Sequence, residues 1–163
     1  MPTSADVRDR AETMIAGTTP RYLAALPFVR ASGAAPIEQL ESSVTSTARQ
    51  FEVRPGEVIE RGSYDGPCYE MRQRLEVIVR YGIDPQTREV GYTSWRTVRA
   101  MAAADAADLI VALEHRAGTV TTWAGVAFSC AIESTELPEY PDDGRPAYLR
   151  LVYVVHYPLE GTP

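Results

Sequence analysis

The alternation of apolar and polar positions is clearest at residues 69–81. There Tyr69, Met71, Leu75, Val77, Val79 and Tyr81 share one parity, and Glu70, Arg72, Arg74, Glu76 and Arg80 share the other. A period of two over this length predicts a strand with one buried and one polar face. Thirteen such residues span about 44 Å at ~3.4 Å each, so the strand is expected to project beyond its sheet, bend at a bulge or pair with another subunit. Phe51 and Val53 alternate in the same way at 49–54, Pro55-Gly56 supplies turn chemistry, and 57–61 reads as a short returning strand. Two further strands are expected, at 120–132 and 147–157. Between them lies an acidic, proline-rich loop at 134–147.

Two segments carry the helical period instead. Val7, Ala11, Met14 and Ile15 recur along one face, Thr3 with Asp6 forms a capping pattern, and Gly17 is a suitable stop. The second helix is expected over 96–116, rich in alanine, with Val98, Met101, Leu109 and Leu113 on one side and Asp105 interrupting that stripe. Residues 18–47 are broken by Pro20, Pro27, Gly33 and Pro36 and read as an arm or extended loop, with a helical turn near Ile37. The order of elements predicts an α+β fold in one domain spanning 1–163. Its single, mostly antiparallel or mixed sheet carries both main helices on one face.

Composition narrows the function classes. The chain has 163 residues, 45% hydrophobic and 23% charged, enough for a sizeable core. All sixteen basic residues are arginine, with no lysine and no asparagine, which suggests a GC-rich coding sequence from a high-GC bacterium or its phage. Without lysine there is neither a phosphate-loop lysine nor a Schiff base. The net charge of −6 argues against general nucleic-acid binding. The polar N-terminus lacks the form of a secretory signal, so the product is expected to stay in the cytoplasm at least initially. Cys68 and Cys130 have no metal-site spacing and read as inert thiols. No Gly-x-Ser-x-Gly elbow is present, and His115 and His156 stand apart from any nucleophile pattern. Glu136, Glu139, Asp142 and Asp143 read as a solvated loop and not as a cation site. No enzyme activity, cofactor or metal is therefore expected.

The candidate functional feature is the arginine stripe Arg72, Arg74 and Arg80, flanked by Glu70 and Glu76. Guanidinium groups in a row can contact phosphate or the acidic residues of a neighbouring subunit. They can equally form cross-strand ion pairs on a polar sheet face. Both readings stand on the sequence alone.

The Arg-rich strand at 71–80, the Ala- and Leu-rich helix at 101–113, the acidic loop and the final strand at 148–157 together resemble the tail terminator and tail-completion proteins of long-tailed bacteriophages. The likeness covers nearly the whole chain, least well 18–47. It implies a virion structural protein that forms a homo-oligomeric ring, typically a hexamer, at the head-proximal end of the tail tube. Such a ring ends tube polymerisation and meets the head–tail connector, while viral DNA passes through its lumen without specific binding. It would be assembled in the host bacterial cytoplasm and reside in the tail or neck of the virion. The resemblance carries no catalytic residues over. It leaves the arginine stripe to subunit contacts, with Glu70, Arg72, Arg74, Glu76 and Arg80 as interface candidates. Two alternatives are another neck or head-completion protein and a small-molecule-binding α/β domain using His156 and Tyr157.

Overall fold

The computed structural model describes residues 2–31, 35–39, 49–63, 68–81, 95–114, 123–139 and 146–160. Helix α1 covers Ser4–Ala16. Thr3 caps it reciprocally with Asp6, and Gly17 closes it, with the Gly17 N–H on the Thr13 carbonyl and the Thr18 N–H on the Ile15 carbonyl. Val7, Ala11 and Ile15 are buried, as the helical period requires. Helix α2 covers Trp95–Leu113. The strands are β1 (Phe28–Arg30), β2 (Arg49–Ser63), β3 (Cys68–Tyr81), β4 (Ser129–Glu136) and β5 (Ala147–Glu160).

They form one sheet in the order β1-β2-β3-β5-β4, with β1 parallel to β2 and every other pair antiparallel. The core takes Phe51 and Val53 from β2, Leu75, Val77 and Val79 from β3, and Leu149, Leu151, Tyr153 and Val155 from β5. Residues of α1 and α2 complete the same cluster, so both helices cover one face of the sheet. Each fully buried large aliphatic side chain contributes roughly 1.5–3 kcal/mol. This is the α+β fold with a mixed sheet that the alternation predicts.

The long strand β3 does not outrun its sheet. It pairs with β2 from Tyr69 to Tyr81 and with β5 from Cys68 to Tyr81, because both neighbours are as long as it is. Pro55-Gly56 is no turn either: β2 runs through it as one strand, with register shifts between Pro55 and Glu60. Those shifts place extra residues opposite Arg74 and Gln73, which is bulge geometry and suits a proline that cannot donate to a ladder. Gly56 suits this position, since a Cβ would come within 3.2 Å of the Arg74 Cβ and carbonyl oxygen and push them apart by a few tenths of an ångström.

The strand expected at 120–132 starts later. Residues 123–128 form a turn, with positive φ at Ala124 and Gly125, and β4 begins at Ser129. Trp123 holds this turn against α2: it is fully buried, and its indole N–H donates to the Leu113 carbonyl at 2.9 Å. At its other end β4 continues to Glu136, inside the span read as acidic loop. Residues 120–122, His115 and Asp142-Asp143 lie outside the described residues.

In the stretch 18–47, read as an arm or extended loop, the described residues add β1 and a short 3-10 turn at Ile37–Gln39. Phe28 belongs to the core beneath the helices, whereas Ile37 is buried on the opposite, helix-free face. The Ile37 N–H donates to Glu52 at 2.7 Å, and Glu52 is the register partner of the equally buried Ile78. The chain therefore wraps from one side of the sheet to the other around β1.

Asp105, which interrupts the apolar stripe of α2, is a buried node. Its carboxylate accepts from Arg49 Nε at 2.6 Å and from the Tyr81 hydroxyl at 2.8 Å, and neither Arg49 nor Asp105 has any exposed side-chain surface. The Arg49 guanidinium also donates to the backbone carbonyls of Tyr22, Leu23 and Leu26. One arginine thereby ties the loop before β1, the start of β2 and α2 together.

Candidate assembly surface

Alternation along β3 puts Glu70, Arg72, Arg74, Glu76 and Arg80 on the helix-free face, as the sequence pattern requires. The structure gives them different surroundings. Arg80 is only 1% exposed, and its Nη1 donates to Gln50 at 2.9 Å on the neighbouring strand. Its guanidinium is used inside the subunit. Glu76 accepts from Arg150 of β5 at 3.0 Å. Glu70 meets His156 Nε2 at 2.8 Å, and the His156 ring lies edge-on to Phe128, with centroids 5.3 Å apart. Arg72 is exposed and lines a cleft of about 80 Å³ together with Gly62, Glu70 and His156.

Arg74 reaches across the face toward both edges of the sheet. Its Nε and Nη2 make a two-point contact with Glu133 of β4 at 2.7 and 2.8 Å, while Nη1 donates to Glu57 in the β2 bulge at 2.7 Å. The fork geometry of a guanidinium suits such a bridge and an ammonium would not. The same contact lowers the Glu133 carboxyl below its ordinary range.

A second cluster surrounds Glu38 in the 3-10 turn. Its carboxylate accepts from Arg54 of β2 and from Arg150 of β5, the latter at 3.0 Å. Arg54 also binds Glu52 through Nε at 2.7 Å. Hydrogen bonding to Arg54 is the main reason that Glu38 is held down to about 2, and it lowers Glu52 as well. This network was only partly legible. The alternation on β2 and β5 places Arg54 and Arg150 on the polar face, but nothing in the sequence shows that Glu38 returns to it.

Tyr157 points the other way and is fully buried, its hydroxyl near Met71 Sδ at 3.0 Å and Gln73 Oε1 at 2.7 Å. It cannot share a pocket with His156. Cys130 is buried, and burial pushes its thiol above the ordinary range. Among the described residues no group of three or more His, Cys, Asp or Glu side chains could hold a metal ion, and no helix is long and apolar enough to cross a membrane.

The helix-free face is thus a broad polar sheet surface laced by ion pairs, bordered by two edge strands. A chain from a solved structure has the same fold. It belongs to the virion of a native gene transfer agent (GTA) particle, is 12% identical in sequence, and superposes with a TM-score of 0.52 over 97% of the present chain and 96% of its own. At that identity the likeness shows a shared fold, and it extends from end to end in both chains. No protein family and no curated protein sequence matches the chain.

Proposed function

We propose that this chain is a structural protein of a phage-like virion, and that within it the chain acts as a tail terminator or tail-completion subunit. In this reading six copies form a ring at the head-proximal end of the tail tube, stop tube growth and meet the head–tail connector. The observation that carries the reading is the end-to-end fold likeness to a chain from a gene transfer agent virion. The order and patterning of elements that resemble tail terminators support the finer assignment.

The surface chemistry is compatible with an assembly role. Arg72 and Arg74 are accessible on the helix-free face and are the retained candidates for subunit contacts, with Glu70 and Glu76 beside them. A chain with net charge −6 would let DNA pass through a lumen without holding it. The small-molecule reading has less support: the cleft at His156 holds about 80 Å³, whereas ligand pockets usually measure roughly 300–1,000 Å³.

Removal of the gene from particle-producing cells tests the assignment. A terminator is expected to leave full heads and detached tail tubes of uncontrolled length, with normal particles restored on complementation. Normal particles in the absence of this chain would overturn the reading, and tubes of normal length that fail to join heads would point to another neck component.

A further inference from the structure

The two edges of the sheet are unlike each other and match in length. On the outer side of β2, β1 pairs only with Arg49, Gln50 and Phe51. From Glu52 onward, among the described residues, no strand pairs with that edge. At the opposite edge β4 has β5 on one side and, among the described residues, no strand on the other. Rows of register partners cross the whole sheet and allow the two edges to be compared. Glu136 lies in the row of Arg150, Ile78 and Glu52, whereas Ser129 lies in the row of His156, Arg72 and Glu60. The span of β4 therefore corresponds to Glu52–Glu60, most of the stretch of β2 that β1 leaves uncovered.

Direction and surface chemistry fit as well. Three successive antiparallel pairings make β4 run opposite to β2, so a second copy set beside the first in the same orientation would add its β4 antiparallel to the open edge of β2. At one end of that row Ile59 is 44% exposed on β2 and Phe128 is 42% exposed just before β4. These are two of the few large apolar side chains that the described residues leave open to solvent, and side-by-side copies would bring them together. Glu57 and Glu133, which would bring like charges to the two edges, share Arg74 within their own subunit, which offsets one of the two charges.

We infer that the partner of each sheet edge is a second copy of this chain, with β4 of one subunit completing the β2 edge of the next in the gap beyond β1. This rests on the ring reading above and supplies its contact. The interface is heterologous, joining two different surfaces, and such contacts close into rings when the rotation between subunits permits. Backbone hydrogen bonds along the added strand would supply affinity, as in strand addition generally. The register shifts on both edges, between Pro55 and Glu60 and between Ile132 and Ser134, restrict the match and discourage pairing with other strands.

Co-expression of two full-length variants tests this contact. Ile59→Cys and Phe128→Cys should be linked by a short bis-maleimide when both are present in one preparation. Neither variant alone, nor the wild type with its native cysteines, should link appreciably. Thermal melting of each variant separates loss of contact from loss of fold. A wild type that assembles into rings while the mixed pair fails to link would overturn the edge contact and leave the ring reading standing. A wild type that stays monomeric in its particle-producing cells would overturn both, and equal linking within either single variant would replace the head-to-tail contact by a symmetric one.

Discussion

Arg49 and Asp105 form an ion pair at 2.6 Å with no side-chain surface exposed on either partner. A buried charge is tolerated only when its hydrogen bonds are made, and Arg49 makes them with Asp105 and with three loop carbonyls. The pair thus fixes the path of the chain around the β1 edge, which in turn decides where the open part of β2 begins.

Removal of one partner should be costly. Arg49→Met leaves the buried Asp105 carboxylate without its counter-charge, with the Tyr81 hydroxyl still donating to it, and leaves the carbonyls of Tyr22, Leu23 and Leu26 unbonded, so a loss of about 3–5 kcal/mol is expected in urea denaturation. The double variant Arg49→Met with Asp105→Leu should recover a large part of it. Equal destabilisation by the single and double variants would show that the loop contacts, and not the charge pair, dominate.

Glu38 should make stability depend on pH in the acid range. Its carboxyl is held near 2 against an ordinary value of 4.5, and Glu52 is also lowered. For a depressed carboxyl the stabilisation is present above the ordinary value and is lost as pH falls toward the folded-state value. Glu38→Gln is expected to cost about 1 kcal/mol at pH 7, the range of a partly exposed pair, lowering Tm by about 2–4 °C. The gap between variant and wild type should narrow from pH 4.5 down to pH 2. A gap that stays constant over that interval would mean that the charge of Glu38 contributes nothing through Arg54 and Arg150.

Arg74→Glu should separate folding from assembly. The side chain is partly exposed and bridges Glu133 and Glu57, so the isolated subunit should keep its fold while two edge carboxylates lose their counter-charge. Reduced association with unchanged circular dichroism is the expected result. Unchanged association would return this arginine to the role of an ordinary surface ion pair.

Cys130 should resist thiol reagents in the native state, because it is buried and its thiol is pushed above the ordinary range. In a Cys68→Ser background, labelling should appear only as urea unfolds the chain. Rapid labelling without denaturant would show that the turn at 123–128 opens readily.

The sequence shows those parts of the fold that repeat locally. The 3.6-residue period of Val7, Ala11 and Ile15 and the two-residue period of β3 and β5 are set by side-chain burial along a single element, so they can be read without knowing its neighbours. The bulge at Pro55-Gly56 is read as a turn because the local chemistry of the two is the same; only the continuous pairing with β3 distinguishes them. The length of β3 is misleading for a similar reason, since its coverage depends on β2 and β5. In the candidate surface, the alternation assigns the arginines to one face but gives no sign that Arg80 is covered while Arg74 is open. Asp105 and Arg49 are far apart in sequence, and their partnership exists only after α2 has docked on the sheet.

The mass of the native assembly tests the central claim most directly. Mass photometry of the purified full chain over a range of concentrations should show the subunit giving way to one closed species of six copies, with no larger open series. A chain that stays monomeric throughout, or grows without a preferred size, would contradict a ring-forming virion protein.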